Sequence, residues 1–517
     1  MVSVSSALVT DTQTPFMNKK TLPLLAALIC MASLSKAQYI EDAMRFSQTE
    51  LGSTARFKAI GNASTSLGGD LSSITGNPAG LGFFNTSDAG FSLNYSNNNN
   101  NSKYYGTSSS AQAEKFNFDQ AGIVFNMPNR HNAYRQSGWL NFNIGIGYAK
   151  TNDFTSTIHF EGENNNSSYT NFLTEATDPV FEDWGVNSWL LEVDPSDHYY
   201  TSASESLTND QKNNDKRTGS QYQTNFSFGA NYNNQFYVGA SVGITGFSYR
   251  SERRFDEFGD TKSASEFLAI NPGSNFLKPE NAGLLSAPYT LSLTSSQKTN
   301  GTGFNGTVGM IYRPDNMFQI GFSATSPTWY VVTDDYNMYF DSWIDPTDGT
   351  ETAEYHPNEE VYYEEYNLRT PYRLNAGVSA KFEDGLISAD IEYVDYTSMR
   401  VTTNSPANDS QSADIVSSEY KGAANFRVGG EYRLTPAFLL RAGFNYQGNP
   451  YQHITSTKQT VSGGLGYRIS NIYVDLTYLN SRQDLTYTPY QSTTFPADPA
   501  TVKNSRDNIF LTLGLKF

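Results

Sequence analysis

"WLNFNIGIGYA", residues 139–149, decides the fold. Leu140, Phe142, Ile144, Ile146 and Tyr148 fall on one side of an extended chain, and Asn141, Asn143, Gly145 and Gly147 fall on the other. A helix would mix the two sets around its axis, so the period of two marks a strand with one apolar face. The pattern recurs. Phe226, Phe228, Ala230 and Tyr232 alternate with Ser227, Gly229 and Asn231; Phe438, Leu440, Ala442, Phe444 and Tyr446 alternate with Leu439, Arg441, Gly443 and Asn445. The chain ends on Ile509, Leu511, Leu513, Leu515 and Phe517 alternating with Phe510, Thr512, Gly514 and Lys516.

Short connections rich in Pro, Gly, Asn and Asp lie at Asn233-Asn234, "RPDN" (313–316), "EDG" (383–385), "LTP" (434–436) and "ISN" (469–471), with a longer one from Pro128 to Gly138. These six turns cut residues 89–517 into seven segments, each a pair of strands around a polar loop, which predicts fourteen strands. Gly301 and Gly303 could mark one more turn. An even count keeps both chain ends on the same side, so one long strand is expected there. Short turns on one side and unequal loops on the other are the asymmetry of a transmembrane barrel. A soluble two-sheet sandwich would also alternate, but would stack its apolar faces against each other.

The start of the chain fits that setting. "MNKKTLPLLAALICMASLSKAQ" has Lys19 and Lys20, an apolar run from Leu22 to Leu34, and small residues at Ser35 and Ala37. This predicts a signal peptide over 1–37, with Met17 as the true start. A lipoprotein signal is the rival, but Ile29 is bulky for the residue before a lipidated Cys30. Cleavage after Ala37 removes the single cysteine and with it any disulfide or thiolate chemistry. No later run is apolar enough for a helical span, whereas barrel strands never produce one.

The net charge of −17 disfavours nucleic acid, which needs a cationic face. Negative charge concentrates in expected extracellular loops, about 151–221, 258–288 and 334–366. The last holds Asp334, Asp335, Asp341, Asp345, Asp348, Glu351, Glu354, Glu359, Glu360, Glu364 and Glu365 with Tyr336, Tyr339, Phe340, Trp343, Tyr362 and Tyr363 between them. A solvated outer surface explains this run better than a cation or partner site. In the first loop Trp184, Trp189, Leu190 and Leu191 are too apolar for free solvent and call for packing against a neighbouring loop, a ligand or a protein. The histidines (His131, His159, His198, His356, His453) are scattered, and neither a nucleophile elbow nor a phosphate-binding loop is present, so the chain is not read as an enzyme and no cofactor or metal is assigned.

Residues 38–88 follow neither strand nor helix periodicity and are rich in small side chains. A fourteen-strand barrel encloses more space than its own side chains fill, and this segment, directly ahead of the first strand, predicts a plug within the lumen. "GNASTSLGGDLSSITGNPAGL" resembles the N-terminal signature of the FadL/OmpP1/TodX outer-membrane transport family, with Asn77, Pro78 and Ala79 on its Asn-Pro-Ala motif and Gly80 and Leu81 following. Pro78 fixes its own φ and biases Asn77 toward an extended backbone, while Leu81, Phe83 and Phe84 suit anchoring at the wall. The inward phase of the strands carries Asp390, Glu392, Arg427, Glu431, Arg441 and Asp475. A charge network bracing wall and plug is the first reading; Arg427 and Arg441, with Glu431 beside them, are the candidates if a carboxylate ligand enters.

The resemblance implies an all-β fold, a 14-stranded antiparallel transmembrane barrel with an N-terminal hatch, in the bacterial outer membrane. It implies passive uptake of small hydrophobic molecules of fatty-acid or aromatic-hydrocarbon type, leaving sideways through a gap at a kinked third strand. Gly145 and Gly147 are the candidates for that gap, or else make room for the plug. Membrane lipid and a hydrophobic small molecule are the expected partners. The alternative is a non-transporting subunit of a larger outer-membrane assembly or secretion machine, with other proteins docked on the extracellular loops.

Overall fold

The computed structural model describes residues 34–129, 137–176, 178–204 and 208–517. Most of the expected signal peptide, residues 1–33, and part of the expected 128–138 turn lie outside the described residues. The first helix, α1 (Leu34–Ser47), runs through the expected cleavage point at Ala37.

Fourteen antiparallel strands close into one barrel: β1 (Asp88–Tyr104), β2 (Thr107–Pro128), β3 (Trp139–Asp153, continued after a bend by Ser156–Asn164), β4 (Asn209–Tyr232), β5 (Phe236–Asp260), β6 (Pro288–Tyr312), β7 (Phe318–Thr325 and Trp329–Ile344), β8 (Glu360–Arg369 and Arg373–Lys381), β9 (Gly385–Asp395), β10 (Gly422–Arg433), β11 (Phe438–Gln447), β12 (Lys458–Ile469), β13 (Ile472–Tyr487) and β14 (Ala500–Lys516). Closure is made by β1 against β14, with Asp88 opposite Lys516 and Lys103 opposite Thr501. Residues 288–312 form one strand through Gly301 and Gly303.

Burial runs inside out. In β3, Asn143 is fully buried while Ile144 and Ile146 are exposed. The same inversion places Phe226, Phe228, Val242, Phe304, Val308, Val428 and Leu476 on the outer surface. Among the described residues these faces meet nothing, which rules out two stacked sheets and leaves lipid as their medium. The predicted tight turns sit between strands at one end; Asn233 and Asn234 adopt φ of +57° and +55°, the left-handed pair that a two-residue hairpin needs.

The strands run further outward than the sequence pattern suggested. β3 continues to Asn164, β4 starts at Asn209, β7 reaches Ile344 and β8 starts at Glu360, so much of the 151–221 and 334–366 stretches is ladder. Above the membrane neither face is uniformly apolar, so alternation gives no sign of these extensions. The asparagine run 97–101 is likewise strand, paired with β2 and β14.

At the outer end the connections build a folded cap with α3 (Tyr169–Glu175), α4 (Pro179–Asn187) and α5 (Ala264–Ile270). Trp184, Leu190 and Leu191 lie in its core with Phe267, Phe276 and Phe340, and Trp184 stacks on Phe340 with ring centroids 5.2 Å apart. Intramolecular packing, one of the three possibilities for these residues, is what buries them.

Candidate functional site

The segment ahead of β1 lies in the lumen and is tied to strands on every side. It carries α1, the one-turn α2 (Ala55–Ala59) and two 3₁₀ turns, Leu71–Ile74 and Pro78–Phe83. Asn77 is extended (φ −86°, ψ 106°), as the following proline demands, and caps the second turn: its Oδ1 accepts from Ala79 N at 3.1 Å. Its Nδ2 donates to Thr65 O at 2.7 Å, and at longer range to Met310 O on β6 and Phe322 O on β7. One side chain thus closes the turn, links it to the rest of the plug and fastens both to the wall. Leu81 packs with Leu71, Ile74, Phe84 and Val124, and Phe83 stacks on Tyr237 at 3.7 Å.

Other wall strands supply matching partners. Asp390 on β9 accepts from Ser64 N and Thr65 N at 2.7 and 2.8 Å, Thr512 on β14 accepts from Ala55 N at 2.8 Å, and Ser462 on β12 donates to Ala59 O at 3.0 Å. Glycines on the inward phase leave the plug its space. A Cβ at Gly239 would lie 2.3 Å from Pro78 C, at Gly321 2.2 Å from Thr65 O, and at Gly443 2.1 Å from Gly61 N. The sequence reading overlooked these glycines, although their signal was available as Gly recurring on the polar phase of strands, where a side chain would otherwise fill the lumen.

The charged candidates are already engaged. Arg427 pairs with Glu392, which also accepts from Arg373 Nη1 at 3.1 Å. Arg441 Nε donates to Glu431 at 2.6 Å and its Nη1 to Asp475 at 2.6 Å, and Glu431 holds Arg56 of the plug at 2.9 Å. Arg427 and Arg441 lie on neighbouring strands but belong to two separate ion-pair clusters. Both are buried and face carboxylates, an arrangement that braces wall and plug.

Gly145 and Gly147 sit in unbroken ladder. Gly145 is paired with Val124 and Ser227, and Gly147 with Gly122 and Asn225. A Cβ at either would press on Ile74 of the plug, at 2.9 and 3.1 Å. The break in the wall comes higher. Pairing of β2 with β3 ends at Gln120–Ala149, a register shift follows between Lys150 and Asn152, and β3 then turns inward. Its outer half leaves the β2 ladder and crosses the lumenal side of the β1–β2 hairpin, where Asn98 donates to Thr155 O at 2.9 Å and Asn100 to Thr157 O at 2.7 Å. The asparagine run thus replaces the lost ladder with side-chain donors. Among the described residues, 107–119 of β2 keep only β1 as ladder partner. Across the gap run long side-chain links, Asn117 to Asp153 at 3.3 Å, Lys115 to Thr155 at 3.4 Å and an ion pair of Lys115 with Asp153 at 3.9 Å. Phe116, 68% exposed, and Phe118 place this free edge at the lipid face.

Behind the bend lies an aromatic box. Phe46 of α1 stacks on Phe247 (3.8 Å, 17°) and meets Phe154 and Tyr249 edge-on, with Tyr330, Leu368 and Tyr396 in the same cluster. Phe154 belongs to the bend of β3, so the box abuts the wall gap. Between box and plug a polar cavity of about 80 Å³ is lined by Ser47, Thr65, Gln221, Gln223, Asn305 and Thr328 among others, room for a few waters.

A family profile described as outer membrane protein transport protein (OMPP1/FadL/TodX) matches residues 222–484. Among solved structures, the P. putida toluene transporter TodX is similar at 15% identity and a TM-score of 0.52, over 90% of this chain and 99% of that one. A Pseudomonas aeruginosa FadL homologue is similar at 14% identity and a TM-score of 0.53, over 90% and 98%. At these identities the likeness is one of fold. No curated protein matches the sequence.

Proposed function

The chain belongs to the OMPP1/FadL/TodX family of outer-membrane transport proteins, and from that premise we propose that it is a passive channel through which small hydrophobic molecules enter across the outer membrane. The observation that carries the route is the free edge of β2 from 107 to 119, open toward lipid beside a box of aromatic side chains. A molecule of aromatic-hydrocarbon size takes the place of Phe46 when α1 withdraws, regains the apolar contacts that Phe46 gave up, and leaves sideways between β2 and the bend of β3 into the bilayer. Each step is downhill or nearly level for an apolar solute, because burial in the box and in lipid removes similar area from water. The plug keeps water and ions from following. A toluene transporter and a FadL homologue share the fold, which supports this substrate class.

The route is tested by placing cysteines at Asn117 and Asp153 and bridging them with a short thiol-reactive linker in proteoliposomes. Uptake of labelled toluene is expected to stop when the bridge forms and to return when it is cleaved. Unchanged uptake through the bridged protein would refute the lateral exit.

One observation favours a second reading, a barrel that serves as a subunit of an outer-membrane assembly. Leu268 and Ile270 on α5 present apolar side chains on the outside of the cap, away from lipid. A stoichiometric partner retained in mild detergent, and lost on Leu268→Asp, would support it.

A further inference from the structure

We propose that the outer face of the barrel carries a binding site for a phosphorylated lipid of the outer leaflet, centred on Arg369 and Arg400. The site begins as a register. Ile244, Phe304, Trp329, Arg369 and Arg400 are directly opposed, one per strand, across β5, β6, β7, β8 and the three-residue strand Arg400–Thr402 that follows β9. All five lie on the outward phase. The next outward row contributes Thr302, Val331, Asn367 and Thr402. Together these residues line a groove of about 620 Å³.

The groove exists because the wall steps there. β7 is interrupted at 326–328 and β8 at 370–372, and each break holds a proline that removes a ladder donor, Pro327 and Pro371. Beyond its break, β8 has only the short Arg400–Thr402 strand on its far side, joined at 367–369. The surface is therefore indented where the neighbouring barrel wall is smooth.

Depth follows from geometry. At the opposite rim Tyr312 stacks on Phe236, and eight residues along β6 separate Tyr312 from Phe304. With a rise of about 3.4 Å per residue and a tilt near 40°, that is about 20 Å of height, close to the outer edge of an apolar band about 25 Å tall. Trp329 at this level is the interfacial aromatic expected there. Below the row, Val242, Val308 and Phe322 continue an exposed apolar surface fit for acyl chains.

The two guanidiniums supply what the apolar wall lacks. Arg369 Nη2 donates to Ser398 O at 3.1 Å, and Arg400 Nη1 to Thr397 O at 2.8 Å and Met399 O at 2.6 Å, which orients both heads. Among the described residues neither is paired with a carboxylate, and Arg369 Nε has no hydrogen-bond partner. Glu365, further out on the same face, is occupied by the Tyr363 hydroxyl at 2.6 Å. Adjacent like charges at the edge of a low-dielectric slab repel each other, and an anion with several acceptor oxygens between them relieves that repulsion. A groove open to the bilayer, cationic at headgroup depth and apolar below, selects a lipid with a phosphate on its head rather than a soluble anion or a protein.

The experiment measures retention by native mass spectrometry of the detergent-solubilised full chain, offered a phosphorylated acyl glycolipid, the same glycolipid without its phosphates, or inorganic phosphate alone. The unaltered protein is expected to hold the phosphorylated lipid at least tenfold better than the dephosphorylated one, and inorganic phosphate not at all. Arg369→Ala with Arg400→Ala is expected to abolish the preference, whereas Arg482→Ala keeps it; heat-modifiable gel mobility verifies that each barrel is folded. Equal retention of the two glycolipids by the unaltered protein would overturn the proposal. So would a preference that survives in the folded double variant, or binding of inorganic phosphate in place of lipid.

Discussion

The side chain of Asn77 occupies the space that a side chain at Gly309 would need: a Cβ there would lie 1.9 Å from Asn77 Oδ1. Gly309→Ala is therefore expected to push the Asn-Pro-Ala turn off β6 while leaving the strand ladder intact. The overpacking cost is about 1–3 kcal/mol, borne by the plug rather than the barrel. Ion conductance across planar bilayers should rise in the variant while heat-modifiable mobility of the barrel stays unchanged. Asn77→Ala should leak in the same way, since it loses the cap and three wall or plug acceptors together.

Glu431 stands between Arg56 of the plug and Arg441 of the wall. Neutralising it as Glu431→Gln leaves Arg441, whose side chain is fully buried, with Asp475 as its remaining carboxylate and leaves Arg56 with the more distant Asp70 at 3.8 Å. A loss of about 3 kcal/mol in unfolding free energy is expected from urea titration, since breaking a buried pair strands a charge. Arg441→Ala should lower stability in the same way and leave half-saturation for a hydrophobic solute unaltered.

Docking of α1 should depend on pH. Burial lifts the Asp42 carboxyl from 3.8 to about 7; Arg45 opposes the rise, and Asp334 and Glu41 add to it. Gln297 bridges Asp42 and Asp334 from β6. A carboxyl whose pKa is raised in the docked state is held protonated there, so docking is strongest at low pH. That contribution is lost as pH climbs from about 4 through about 7. Cleavage of α1 by an added protease should therefore slow between pH 8 and pH 5, and Asp42→Asn should flatten the profile.

Phe46→Ala empties the centre of the aromatic box. The expected cost is about 3–5 kcal/mol, and the vacancy is lined by Phe154, Phe247, Tyr249 and Tyr330. Apolar cavities of this kind stay dry and accept small aromatics. Toluene should raise the melting temperature of the variant and leave that of the unaltered protein almost unmoved, read by differential scanning fluorimetry in detergent.

Much of the site was legible before the structure, and what was not has a common cause. The Asn-Pro-Ala turn could be read because Pro78 restricts its own backbone and that of Asn77, a local effect. Gly145 and Gly147 could be read as special but not interpreted, since a strand glycine weakens pairing or admits a neighbour with the same letter. Here Ile74 is the neighbour, 70 or so positions away in the chain. The break of the wall at 150–156 carries no glycine at all; it follows from Asn98 and Asn100 holding the bent strand against the lumenal side of β1. Arg427 and Arg441 looked like one pair because they share a phase on adjacent strands, yet stagger between the strands assigns them to different carboxylates.

Period-two alternation, one-sided short turns and the small-residue segment before β1 determined the barrel, its strand number and its stopper, because each is a property of neighbours along the chain. Tertiary structure alone decided where the wall opens, what fills the lumen beside the opening, and which charges face each other. Those outcomes depend on distances between residues from tens to hundreds of positions apart, which strand stagger and the path of the plug set together.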